Sequence, residues 1–212
     1  MKKNAFIAML FGITAFLTAE VVPMAHLTYM STTRKFIADG DECEYKLNQQ
    51  VGLTLSCFSF ENMRLGAGAP GLYGNLSLSY LGYSTLTNLD EEYYGDSSLS
   101  GYDFRLGYNS LIGGGYMFDN YRQRILLAAG INLNGIILGE DSTNYHSLVV
   151  GPGFNTTFIL GDDLTDVHLS FYLGGAWNAW QIATSSDYKD TYGDDYSGGL
   201  TLFAGVGLSY GP

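Results

Sequence analysis

Residues 102–118 read YDFRLGYNSLIGGGYMF, and their dominant period is two. The even positions are Tyr102, Phe104, Leu106, Tyr108, Ser110, Ile112, Gly114, Tyr116 and Phe118. The odd positions begin with Asp103, Arg105, Gly107 and Asn109. Successive side chains of a strand point to opposite faces, so this segment has one aromatic and aliphatic face and one small or polar face. No helical spacing of apolar residues competes with that reading.

The pattern repeats in both directions along the chain. Asp119-Asn120 makes a turn, after which Ile125, Leu127, Ala129, Ile131, Leu133 and Ile137 alternate with Gly130, Asn132 and Asn134. Later, Phe154, Phe158 and Leu160 alternate with Gly153, Asn155 and Thr157, and Val167, Leu169, Phe171 and Leu173 with His168, Ser170, Tyr172 and Gly174. Near the end, Leu200, Leu202, Ala204, Val206, Leu208 and Tyr210 alternate with Thr201, Gly205, Gly207 and Ser209. Earlier runs contain Val51, Leu53, Leu55 and Cys57, then Leu72, Leu76, Leu78 and Tyr80. The expected strands are 49–60, 71–83, 101–118, 122–138, 147–160, 166–182 and 196–210. An even number is needed to close a single-chain barrel, and the eighth strand is placed near Met24 to Ile37, where alternation is poor.

The first residues have a different role. Met1-Lys2-Lys3-Asn4 is a short basic start, Ala5 to Leu17 an apolar-to-neutral run, and Leu17-Thr18-Ala19 offers small residues for cleavage. This is the pattern of a secretory signal peptide, too short to span a bilayer as a helix. The expected division is a signal peptide over 1–19 and one barrel domain over 20–212, with cleavage after Ala25 as the other position. Later in the chain, no stretch reaches the roughly 20 apolar residues of a membrane helix.

Composition separates a barrel in lipid from one in water. The 212 residues include 28 Gly, 17 Tyr and 12 Phe, with 15% charged; a soluble domain carries about 25% charge. A soluble eight-stranded barrel such as a lipocalin has an apolar interior and a charged exterior. Here one face is rich in Gly, Ser, Thr and Asn, and the other carries almost no charge, which water would not tolerate over so large an area. A closed barrel satisfies its backbone groups within the sheet and so suits lipid. The expected fold is all-β: a closed, antiparallel, up-and-down transmembrane β-barrel of about eight strands behind a cleaved signal peptide.

The net charge is −11, and removal of Lys2 and Lys3 leaves 8 basic against 21 acidic residues, or −13. That balance argues against nucleic acid as a partner. The connections near 38–48, 84–100, 139–146 and 183–195 are expected to be the longer ones. They hold 14 of the 21 acids, including Asp90, Glu91, Glu92, Asp187, Asp190, Asp194 and Asp195. One rim is therefore acidic and is assigned to the cell exterior, where Tyr93, Tyr94, Tyr145, Tyr188 and Tyr192 are available as contact residues.

The ending Phe203-Ala204-Gly205-Val206-Gly207-Leu208-Ser209-Tyr210, with the signal peptide, the alternating strands and the acidic loops, resembles the small outer-membrane barrels of the OmpX, OmpW and OmpA-barrel type. In that group the last strand carries an assembly signal that ends in an aromatic residue. The resemblance assigns this role to Gly205, Leu208 and Tyr210, although Phe203 stands where a polar residue is usual and Gly211-Pro212 follow. It implies residence in the outer membrane, contact with its lipids, and insertion by the barrel assembly machinery.

Eight strands enclose an interior that side chains can fill, so no wide pore is expected. Asp103 and Arg105, two apart, are expected to share the inward face as a lumen charge pair. His168-Leu169-Ser170 resembles the His-x-Ser spacing of outer-membrane lipid A deacylases, which implies Ser170 as nucleophile and His168 as its base. No Glu follows Glu140, however, and the two side chains fall on the inward face. A hydrogen-bonding role in the lumen is therefore the expected one, and no catalytic residue is assigned. His26, His146 and His168 lie far apart, so no metal centre and no cofactor are expected. Three non-enzymatic roles remain level: structural, surface contact or narrow channel. The deacylase-like hydrolase and a soluble periplasmic ligand-binding barrel are the alternatives.

Overall fold

The computed structural model describes residues 20–38, 41–61, 67–81, 85–88, 97–98, 102–120, 123–140, 143–161, 166–186, 194–195 and 198–211. Eight strands form the wall: β1 (Glu20–Ala38), β2 (Asp41–Phe60), β3 (Ala69–Tyr80), β6 (Phe104–Asp119), β7 (Gln123–Glu140), β8 (Thr143–Leu160), β9 (Val167–Trp177) and β12 (Leu200–Tyr210). Four short strands extend it at one end: β4 (Thr85–Asn88), β5 (Ser97–Ser98), β10 (Trp180–Thr184) and β11 (Asp194–Asp195). Every pairing is antiparallel, from β1–β2 round to β9–β12, and β12 returns to β1 through registers such as His26↔Gly207. The sheet closes, leaving no free edge along the wall. No helix among the described residues is long and apolar enough to cross a membrane, which says nothing of strands.

The eighth strand lies where alternation looked poor. β1 alternates cleanly in space: Val22, Met24, His26, Thr28, Met30, Thr32 and Arg34 are buried, and Val21, Leu27 and Tyr29 are exposed. Its inward face mixes Val and Met with His, Thr and Arg, so hydropathy along the sequence hides the period. Two expected loops are corrected as well. Ala38 pairs with Asp41 and Glu140 with Thr143, so most of 38–48 and of 139–146 is paired strand. These acidic stretches continue the ladder at the end where the short strands also lie. There, alternation is not enforced by lipid on one side, and composition alone reads as loop. Cys43 and Cys57 fall towards opposite ends of β2, and Cys57 is a free thiol. A disulfide tolerates only about 7 Å between Cα atoms, so the two do not bridge within the chain.

The strand ends Glu20, Phe60, Ala69, Asp119, Gln123, Leu160, Val167 and Tyr210 lie at one end, called the terminal end. The short strands and the strand ends Tyr80, Phe104, Trp177 and Leu200 lie towards the other, the loop end.

Candidate functional site

The outer face of the wall is predominantly apolar, whereas the inner face mixes apolar and polar side chains. Outside, Leu27, Leu53, Leu55, Leu72, Leu76, Leu78, Ile112, Ile131, Leu173, Leu202 and Leu208 are exposed, Ile131 at 64%. Aromatic side chains stand outward at strand ends: Tyr116, Phe118 and Tyr210 at the terminal end, Tyr80, Phe104, Trp177 and Trp180 at the loop end. Such a belt, closed on itself and flanked by aromatics, fits a hydrocarbon layer and would be a costly patch in water.

The interior is packed, in two zones. Towards the terminal end, Val22, Met24, Phe58, Phe60, Ala69, Tyr73, Leu111, Met117, Leu126, Ala128 and Ile159 form one buried apolar cluster. Phe58 and Phe60 stack with centroids 5.6 Å apart. Asp119 and Arg124, register partners beside the 120–122 turn, make a buried ion pair with Nε–Oδ1 3.6 Å.

Farther along the lumen, hydroxyls and amides bonded to each other across the barrel share the interior with a smaller apolar cluster of Met30, Tyr172 and Phe203. Thr54 Oγ1 lies 2.7 Å from both Thr28 Oγ1 and Ser77 Oγ, and 3.4 Å from the Tyr172 hydroxyl. Asn75 Nδ2 donates to the Tyr73 hydroxyl at 3.1 Å, Asn155 Nδ2 donates to the same oxygen, and the Leu111 N–H donates to Asn75 Oδ1 at 2.7 Å. Asn132 Nδ2 donates to Asn109 Oδ1 at 2.9 Å. Above them Arg34, 2% exposed, donates to Ser147 Oγ at 2.6 Å, to the Asn134 carbonyl at 3.1 Å and to Asn134 Oδ1 at 2.9 Å.

Arg34 is the buried lumen cation that sequence reasoning overlooked. Its signal was present, since Arg34 shares parity with His26, Thr28 and Thr32, but only once that segment is accepted as a strand. The members of the expected Asp103–Arg105 lumen pair stand at the loop end: Asp103, just before β6, is exposed, and its N–H donates to the Gly139 carbonyl at 2.8 Å. Arg105 is half-buried; its Nε donates to the Tyr102 carbonyl at 2.7 Å, and its guanidinium lies 6.0 Å from the centre of the Tyr80 ring.

His168 and Ser170 both face the lumen on β9, and both are buried. Their partners differ from the deacylase arrangement. His168 Nε2 lies 3.2 Å from the Gly211 carbonyl, and Ser170 Oγ lies 2.9 Å from Nε2 of His26 on β1. The registers His26↔Gly207 and Gly207↔Ser170 put a glycine between them on β12. A Cβ there would come within 1.9 Å of the Ala25 carbonyl oxygen, so the close approach of β1 and β12 requires glycine at this position. Nδ1 of His26 has no hydrogen-bond partner among the described residues. A serine–histidine contact without an orienting acid, sealed inside the wall, lacks both the third member and the access that acyl transfer needs.

At the end of the chain, Leu208 and Tyr210 point outward and Gly205 inward, where a Cβ would meet the Tyr172 ring at 2.8 Å. Of the acids assigned to the rim, Asp90, Glu91, Glu92, Asp187 and Asp190 lie outside the described residues. Asp194 and Asp195 form β11, which pairs with Ile37 and Phe36 of β1. The Tyr145 ring packs edge-on against Tyr102, centroids 5.5 Å apart. No group of three or more metal-ligating side chains occurs among the described residues.

Comparison with known proteins decides the type of barrel. Neisserial surface protein A aligns with probability 1.00 and a TM-score of 0.53, covering 90% of this chain and 96% of its own at 11% identity. The fold is that of a small outer-membrane β-barrel. Ail, the attachment invasion locus protein of Yersinia pestis, is also similar, with a TM-score of 0.49 and 8% identity over 90% of this chain and 97% of its own. No protein-family model matches the chain, and no curated protein matches it by sequence.

Proposed function

We propose that this protein is an integral outer-membrane barrel without enzymatic activity, whose lumen is a packed core and whose work is surface contact through its loop end. The observation that carries the reading is the apolar cluster at the terminal end. Val22, Phe58, Phe60, Met117, Leu126 and Ile159 are all 2% exposed or less, so the interior has no continuous wet path there. Dry, close-packed side chains conduct neither ions nor solutes. That favours surface contact over a narrow channel.

The loop end supplies the contact surface. β1 and β2 run 19 and 20 residues and β7 and β8 each run 18, against the roughly 9–11 a tilted strand needs to cross a bilayer. The excess carries Asp41, Glu42, Glu44 and Glu140 on paired backbone. An acidic projection favours a partner with a basic face, through charge complementarity that steers encounter. Gly205, Leu208 and Tyr210 remain the proposed signal to the barrel assembly machinery, and outer-membrane lipids the proposed surroundings.

The test is electrical and surface-based. Purified protein in a planar bilayer should give no discrete conductance steps. Whole cells carrying a hairpin in which 36–43 is replaced by a tight turn should keep the heat-modifiable barrel and lose binding to basic protein surfaces. Steady single-channel steps from the unaltered protein would sink the packed-core reading.

A further inference from the structure

The wall is interrupted between β9 and β10, and this break opens onto the lipid-facing belt. β8 pairs with β9 up to Gly153↔Ala176 and then with β10 from Val150↔Trp180. Between these points Trp177, Asn178 and Ala179 oppose only Gly151 and Pro152, a bulge in which one strand has an extra residue. Pro152 has no N–H to offer a ladder, so its place at the break is apt. The backbone is satisfied elsewhere: the Ala179 N–H donates to the Val150 carbonyl at 3.0 Å and the Asn178 N–H to the Gly199 carbonyl at 3.1 Å.

On the outer face this break leaves a groove of about 290 Å³. Pro152 and Phe154 form one side, Trp177 and Leu200 the other, and Gly175 and Ala176 the floor. The registers Phe154↔Gly175 and Gly175↔Leu202 show why it exists: glycine omits the outward side chain that would stand between Phe154 and Leu202. Phe154 and Trp177 are each 54% exposed, so the walls stand clear of the sheet. Trp180, one of the outward aromatics of the loop end, lies beside it at 63% exposure.

We infer that this groove seats one acyl chain of an outer-leaflet lipid. The inference rests on the outer-membrane reading above. Within that belt the groove is continuous with the lipid contact surface, its lining is apolar, and it lies at the loop end, which faces the outer leaflet. A chain lying in it is touched on both sides by aromatic or branched walls, whereas a chain elsewhere touches one side of the barrel.

The chain's two tryptophans report on the site, because Trp177 is a wall and Trp180 a neighbour. Full-length barrels carrying only Trp177 (Trp180→Phe) or only Trp180 (Trp177→Phe) are placed in detergent micelles doped with phosphatidylcholine brominated along its acyl chains. Trp177 fluorescence should be half-quenched at a roughly fivefold lower bromolipid fraction than Trp180. Gly175→Leu, whose Cβ would meet the movable Leu202 side chain and the Thr201 carbonyl oxygen at 3.2 Å each, should bring the Trp177 curve onto that of Trp180. If that variant gives no heat-modifiable band, Leu200→Ala removes a wall from the outside and should weaken the preference in the same direction. Coincident curves for the two unaltered tryptophan reporters would overturn the lipid seat. Trp177 quenched less than Trp180 would overturn it too, since another protein surface would then cover the groove. Absence of quenching at both positions would instead refute the membrane reading on which the seat depends.

Discussion

The two halves of the lumen are built from the same strands with a different balance of apolar and polar side chains. β2 turns Phe58 and Phe60 inward at the terminal end and Thr54 and Gln50 farther along, and β7 turns Leu126 and Ala128 inward before Asn132 and Asn134. The outer face does not change in this way; it stays largely apolar over the lipid-facing length of each strand. Lipid therefore fixes one face along that length, while the inner face needs only to be filled and satisfied. Filling is achieved mainly by dispersion and apolar burial at the terminal end; beyond it a hydrogen-bonded network is interleaved with Met30, Ile136, Leu138, Val149 and Phe203.

Substitutions sharpen this contrast. Phe58→Ala removes a fully buried ring from the apolar zone and should cost about 3–5 kcal/mol, read as a lowered urea midpoint for the barrel in lipid vesicles. Ile131→Lys, at the most exposed aliphatic position of the belt, should cost about 2–4 kcal/mol in vesicles if it lies near the bilayer midplane. In a water-soluble barrel the same change would alter stability by less than about 0.5 kcal/mol, so the measurement separates lipid from water outside the wall. Arg34→Met should cost about 1.5–3 kcal/mol by removing charged hydrogen bonds to Ser147 and Asn134, and a near-zero effect would show that the polar zone is not a cohesive network. Ser170→Ala should cost about 1 kcal/mol and leave lipid A acylation unchanged; shortened lipid A that disappears with this variant would revive the hydrolase reading.

The same contrast explains what the sequence revealed. The outward face was legible because lipid demands an apolar residue at every second position, so seven strands and the barrel class followed from Leu, Ile and Phe. β1 was harder to read because Val22 and Met24 belong to the apolar zone of the lumen while His26, Thr28 and Arg34 belong to the polar one. Beyond the lipid, Asp41, Glu42 and Glu44 sit on paired backbone with no apolar rhythm, and composition suggested loop. The His26–Ser170 contact was hidden for a different reason. It spans β1, β12 and β9, and becomes visible only when the barrel closes and Gly207 is placed between the two side chains.

The central claim is a closed barrel in the outer membrane, and heat-modifiability tests it most directly. Protein extracted with detergent from the membrane fraction is run on SDS gels with and without boiling. The account predicts a membrane-bound protein whose unboiled form migrates apart from the boiled one, because a wall hydrogen-bonded all round resists SDS until heated. Release with the periplasmic fraction, with one band position in both lanes, would contradict it.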